Sequence, residues 1–212
     1  MTLLLEARQV GFALDGRSIL AGIDLDVTGG SSVAVVGPSG SGKTTLLGLL
    51  SGLSTPTSGE VRLDGRRLDG IARPSEGVAL VLQGYGLVSL LSAAETIEVA
   101  LRAAGWTRER AGVAAREGLR DVGLEAQAGQ LVEELSGGQQ QRTAVARALA
   151  LRPRLVIADE PTAELDAVAR AMVLARLFDV SDRGGGLVLA THDPEVADRC
   201  DQILDLRAGP RE

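Results

Sequence analysis

Residues 31–45, SSVAVVGPSGSGKTT, constrain the fold more than any other stretch of this 212-residue chain. A short β-branched run reads as a buried strand. It ends in a loop with glycines at 37, 40 and 42, and the apolar helical pattern TTLLGLLSGL follows at once. Glycines so placed let successive backbone N–H groups curl into an anion nest, and the helix beginning near Lys43 aims its positive end at the same point. Lys43 is the only lysine in the chain; every other cationic side chain is arginine. A compact ammonium on a flexible stem folds over such a loop onto phosphate oxygens, a position that the wide planar guanidinium does not fill equivalently. Gly37, Gly42, Lys43 and Thr44 satisfy G-x-x-x-x-G-K-[ST] between a strand and a helix, the setting this phosphate-binding pattern requires. The Thr44 hydroxyl suits Mg2+.

The rest of the chain repeats the alternation. GEVRLDG (59–65) reads as a half-exposed strand, and GVALVLQ (77–83), RLVIAD (154–159) and GLVLATH (186–192) as buried ones. QILDL (202–206) reads as a last strand, and the pattern turns helical from Ser92 to about Gly123. Buried strands interleaved with helices predict an α/β fold: a P-loop NTPase core of mainly parallel sheet, with ligand at the strand C-terminal ends. The expected organisation is one domain over 1–212. Its core comes from 1–83 and 153–212, with an inserted helical subdomain over 84–152 and a small antiparallel β portion near the N-terminus.

Composition excludes several classes. Hydrophobic residues make up 45% and charged residues 24%, ordinary for a soluble globular chain. The single cysteine, Cys200, forms no internal disulfide, so nothing signals an oxidising compartment. A formal net charge of −6 argues against a general nucleic-acid partner. Glu6 and Arg8 interrupt the N-terminus too early for a signal-peptide core. The uncharged run 77–94 carries Gln83, two serines and three glycines, so it reads as strand plus loop and not as a membrane span. A cytoplasmic location is expected.

LSGGQQQR (135–142), followed by TAVARALALRPRLVIADEPT, narrows the reading. With the P-loop ahead of it, the chain resembles the ATP-binding-cassette ATPases across essentially its whole length. Ser136, Gly137 and Gly138 make a second low-bulk helix N-terminus able to meet phosphate. The resemblance implies that this loop, with Gln139, contacts the γ-phosphate of an ATP held by the P-loop (Gly37, Pro38, Ser39, Gly40, Ser41, Gly42, Lys43, Thr44, Thr45) of a second subunit. Two ATPs would then be sandwiched in a head-to-tail dimer of this chain with itself or a close homologue.

The same resemblance assigns the remaining roles. Asp159 holds Mg2+, largely through water, together with Thr44; Gln83 reaches Mg2+ or the attacking water and so counts as catalytic too; Glu160 orients and deprotonates that water, and His192 contacts the γ-phosphate. Gln83 stands where the Q-loop glutamine does, linking core and helical subdomain. Ala163–Asp166, AELD, fills the place of the D-loop, commonly SALD or GNLD. The aromatic residue that usually stacks on adenine is missing: alignment of 10–20 puts Leu14 there, with Phe12 facing the same way if the segment is a regular strand. ADEPT, LSGGQQQR and the short length resemble the ATPase subunits of the lipoprotein-release and macrolide-exporter group.

The resemblance implies the ATPase subunit of a transporter, peripheral on the inner face of the cell membrane through a separately encoded permease that docks near Gln83 and residues 84–100. The alternative is a non-transport cassette ATPase, either a regulator of cell-envelope enzymes or a soluble assembly ATPase. No long coiled coil separates P-loop from signature, as DNA-repair cassettes would have, and only one copy of each motif is present.

Overall fold

The structure is a computed structural model and describes residues 2–68 and 77–206. It divides into two compact units: one of 1–80, 154–160 and 180–212, the other of 81–153 and 161–179.

The first unit opens with a long hairpin, β1 (Leu3–Leu14) and β2 (Arg17–Thr28). Its two-residue turn is Asp15–Gly16, with φ of 50° and 77°. Positive φ at both positions gives the hairpin turn whose twist matches that of the strands it joins, and Asp-Gly tolerates it. β3 (Ser31–Val36) and α1 (Lys43–Leu50) follow, then β4 (Ser58–Leu63), β5 (Arg66–Arg67) and β6 (Val78–Val81), whose last residue belongs to the second unit. An antiparallel sheet has the order β2-β1-β4-β5.

The second sheet adds β7 (Leu155–Asp159), β8 (Gly186–Ala190) and β9 (Gln202–Asp205) in the order β6-β7-β8-β3-β9. β7 with β8, β8 with β3, and β3 with β9 are parallel. Every residue of β7 and β8 is buried, which explains why both read as unbroken apolar runs and not as alternating ones. One cluster joins the sheets: Leu5, Val10, Val27 and Val61 pack with Val33, Val35, Ile157, Val188 and the α1 leucines 46, 47, 49 and 50.

The second unit is helical. It holds α2 (Ala93–Ala103), α3 (Arg108–Asp121), α4 (Gly137–Ala150) and the greater part of α5 (Ala167–Asp182). Its core gathers Ile97, Leu101, Ala111, Ala115, Leu119, Leu124, Leu135 and Ala146. The helices start on side-chain caps from Ser92, Thr107 and Ser136. The short α6 (Pro194–Ala197), capped by Asp193, lies in the first unit. Among the described residues no helix is long and apolar enough to cross a membrane.

Candidate active site

Three loops leave the C-terminal ends of the adjacent strands β3, β8 and β7, where ligands of parallel α/β sheets bind. The loop after β3 is the glycine-rich one. Gly40 and Gly42 take φ of 80° and 93°, which glycine adopts without the steric cost a Cβ adds. Gly42 is constrained twice, because a Cβ there would stand 2.9 Å from Leu20 Cδ2. The loop is therefore seated directly on β2 and turns into α1 at Lys43.

Lys43 folds back over this loop. Its ammonium donates to Gly37 O at 2.8 Å and Pro38 O at 3.2 Å. Ser41 Oγ is buried and has no hydrogen-bond partner. A hydroxyl of this kind within a nest of backbone N–H groups suits the oxygens of a phosphate.

Asp159, the last residue of β7, is 3% exposed. Thr44 Oγ1 donates to Asp159 Oδ2 at 2.6 Å, which joins the start of α1 to the end of β7. A buried carboxylate beside a threonine hydroxyl fits Mg2+, a cation that takes one or two protein ligands and completes its shell with phosphate oxygens and water. Among the described residues no group of three or more His, Cys, Asp or Glu side chains is placed to hold a metal ion.

The next residue, Glu160, has φ of 47° while its N–H donates to Ala190 O at 3.0 Å. A left-handed non-glycine residue costs roughly 1 kcal/mol or more and persists only where its surroundings fix it. Here the turn aims the carboxylate at the residue following Thr191: His192 Nδ1 lies 2.9 Å from Glu160 Oε2. The His192 side chain is 72% exposed and that of Glu160 12%. With the proton on Nδ1 the imidazole donates to Glu160, leaving Nε2 for another partner. Lys43, Thr44, Asp159, Glu160 and His192 thus share one unit and one end of one sheet.

The model of the family described as "ABC transporter" matches residues 20–163, more than half of the chain. The chain belongs to the ABC transporter family. It is 41% identical to the lipoprotein-releasing system ATP-binding protein LolD of Chromohalobacter salexigens over 91% of its own length and 84% of that protein. It is equally identical, at 41%, to the phosphonates import ATP-binding protein PhnC of Thiobacillus denitrificans, over 92% and 80%. Against the macrolide export ATP-binding/permease protein MacB of Shigella sonnei the identity is 37% over 99% of this chain but 34% of the longer relative. The dimeric structure of MJ0796, a bacterial ABC transporter cassette, superposes with a TM-score of 0.88 at 31% identity, covering 95% of this chain and 94% of that one. MJ0796 has also been solved as a dimer in a post-hydrolysis state bound to ADP and phosphate, with a TM-score of 0.87. This chain is accordingly an ATP-binding subunit of an ABC transporter and an ATPase of the cassette fold.

The second unit carries Gln83 and the signature residues, while Leu14 and Phe12 lie in the first. Gln83 is exposed and lies two residues beyond β6, so it does not end the strand as the sequence suggested. Gly84 and Gly86 around Tyr85 favour a turn here over further pairing. Ser136 caps α4 and accepts from Gln139 N at 3.4 Å, while Gln139 Oε1 accepts from Ser136 N at 2.8 Å. This reciprocal box fixes the signature turn. Leu14 stands 56% exposed at the end of β1. Phe12 is half-buried and packs against the core cluster. The pairing beside it slips, Phe12 facing Leu20 and Ala13 facing Ser18, so the extra residue of the bulge lies on β2. Sequence reasoning did not single out Tyr85, Gln141 or Arg147. Of these, Arg147 was in principle visible as a mid-helix cation next to buried alanines.

Proposed function

We propose that two copies of this chain, or this chain and a close homologue, close on two ATP molecules and that their opening and closing drives a separately encoded membrane permease. The observation that carries the reading is the meeting of Lys43, the Thr44–Asp159 pair and the Glu160–His192 pair at the ends of three adjacent parallel strands.

Little covalent chemistry falls to the protein in phosphoryl transfer; positioning and charge stabilisation supply the rate. The backbone N–H groups of 37–45 and the Ser41 hydroxyl cradle the phosphates. Lys43 trades its two loop carbonyls for β- and γ-phosphate oxygens. Thr44 and Asp159 would hold Mg2+, which neutralises phosphate charge when bound. For Gln83 the third ligand role rests on motif order alone. Glu160 takes the proton of the attacking water, and His192, already oriented by Glu160, offers its remaining nitrogen to the γ-phosphate. Ser136 and Gly138 of one chain complete the site of the other, as motif order and the dimeric structures of MJ0796 support. On this reading the helical subdomain of 84–152 presents the signature loop and docks the permease, and the chain works at the inner face of the membrane.

The test is Glu160→Gln. It keeps every phosphate donor and removes the base, so hydrolysis should fall by about 100-fold or more while ATP with Mg2+ accumulates a dimer on size-exclusion chromatography. Hydrolysis at the unmodified rate would eliminate Glu160 as the base.

A further inference from the structure

The signature helix α4 has no acidic residue in its own first turn, yet a carboxylate lies on that turn. A side chain built on Gly137 would collide with Glu164 Oε2, and a Cβ on Gly138 would stand 2.9 Å from the Glu164 carbonyl oxygen. Segment 164–165 therefore rests directly on the two glycines. Glu164 N donates to Gln141 Oε1 at 3.3 Å. The Tyr85 hydroxyl lies beside the Glu164 carboxylate at Gly137, close enough to interact with it. Tyr85 is itself fixed from α4: the Arg147 guanidinium donates to Tyr85 O at 3.0 Å and to Gly86 O. Burial first, and then the Glu164 carboxylate, push the phenol up to about 12, so it stays a donor throughout the physiological range. All of these residues belong to the helical unit.

In the D-loop patterns SALD and GNLD the position before the leucine is alanine or asparagine; here it is Glu164. An anion at a helix N-terminus is favourable, and the free chain already supplies one. We infer that Glu164 is a resident anion at the signature turn, set there by Tyr85, and that its charge raises the ATP concentration at which two chains close. The inference rests on the reading that Ser136 and Gly138 meet the γ-phosphate held by a second chain. That phosphate approaches a helix end whose favourable field is already spent on Glu164, and closure must either displace the carboxylate or tolerate like charge beside it.

Two consequences have opposite signs, and that separates this role from a structural prop. Glu164→Gln preserves shape and an oxygen beside Tyr85 but removes the charge. It should lower the thermal stability of the nucleotide-free chain slightly, because α4 loses its N-terminal anion. It should also lower the half-saturating ATP for dimerisation by roughly three- to ten-fold. The measurement is an ATP titration with Mg2+ by light scattering in Glu160→Gln protein, with and without Glu164→Gln, beside a melting curve of each without nucleotide. Glu164→Ala should shift the titration the same way. Tyr85→Phe, which leaves the charge in place, should shift it less, and the charge-matched surface change Glu117→Gln should not shift it. An unchanged or raised ATP requirement in Glu164→Gln overturns the inference, as does a parallel loss of melting temperature and dimerisation. Failure of Glu160→Gln itself to dimerise at any ATP concentration overturns the signature reading, and the inference with it.

Discussion

Leu14 ends β1 one residue before the Asp15–Gly16 turn, more than half exposed, where the ABC pattern usually offers an aromatic ring to adenine. Leucine gives a ring face some apolar contact but no matched π surface. Stacking of a base on an aromatic side chain is worth roughly 1–3 kcal/mol in nucleic-acid binding, and the phosphate contacts are indifferent to the base. Leu14→Tyr should therefore tighten ATP binding by about 1 kcal/mol, roughly five-fold, and raise the preference for ATP over GTP. Affinities of both nucleotides for the unmodified chain, Leu14→Tyr and Phe12→Ala decide it. No gain in Leu14→Tyr together with markedly weaker binding by Phe12→Ala would transfer the role to Phe12. The packing of Phe12 on the core opposes that outcome. At this scale the sequence was legible where a side chain's task depends on its immediate neighbours, as for Lys43 on its loop. It was less legible at Phe12 and Leu14, because strand alternation does not say which of the two packs on the core and which stands exposed.

Among elements, the parallel strands were readable from their apolar runs: SSVAVV, LVIAD and GLVLA all became buried strands. The long β1–β2 hairpin was foreseen only as a small antiparallel portion, although Asp15-Gly16 between two runs rich in Leu, Ile and Val is a strong short-range hairpin signal. The start of α2 was legible too, since Ser92-x-x-Glu95 ahead of an apolar run is a capping box. In the structure Ser92 Oγ accepts from Glu95 N at 3.2 Å, and Glu95 Oε2 accepts from Ser92 N at 2.9 Å. Ser92→Ala should cost about 1 kcal/mol of stability at neutral pH, read from the midpoint of chemical denaturation. The backbone and then the hydroxyl of Ser92 hold the Glu95 carboxyl below its ordinary value. That contribution is therefore present above the ordinary carboxylate range and is lost as pH falls through the lowered value. The stability difference between the unmodified chain and Glu95→Gln should accordingly close on acidification. A difference that persists in acid would assign the effect to packing.

At the scale of the whole molecule, the segment after β6 raises a different question, because apolar side chains there are left in solvent. Leu82, Val88, Leu90 and Val99 are 40%, 56%, 74% and 55% exposed. Three of them lie within the stretch 84–100 that the sequence marked for a permease, and Leu82 adjoins Gln83. Apolar side chains grouped on a surface mark an interaction site more often than singly scattered ones do. A permease segment that covers them would bury Leu90 most, since it has the most surface left to lose. Leu90→Asp would then place a charge in the covered patch and cost at least about 2 kcal/mol of permease affinity, roughly thirty-fold. The change lies outside the P-loop, the Glu160–His192 pair and the signature turn, so ATP binding and hydrolysis by the isolated chain should be unaffected. Recovery of integral-membrane protein with the tagged chain from detergent-solubilised membranes measures the first effect, and steady-state ATPase of the purified chain measures the second. Undiminished co-purification of Leu90→Asp would remove this patch from the permease interface. Loss of both activities together would show that Leu90 supports the ATPase fold and not a docking surface.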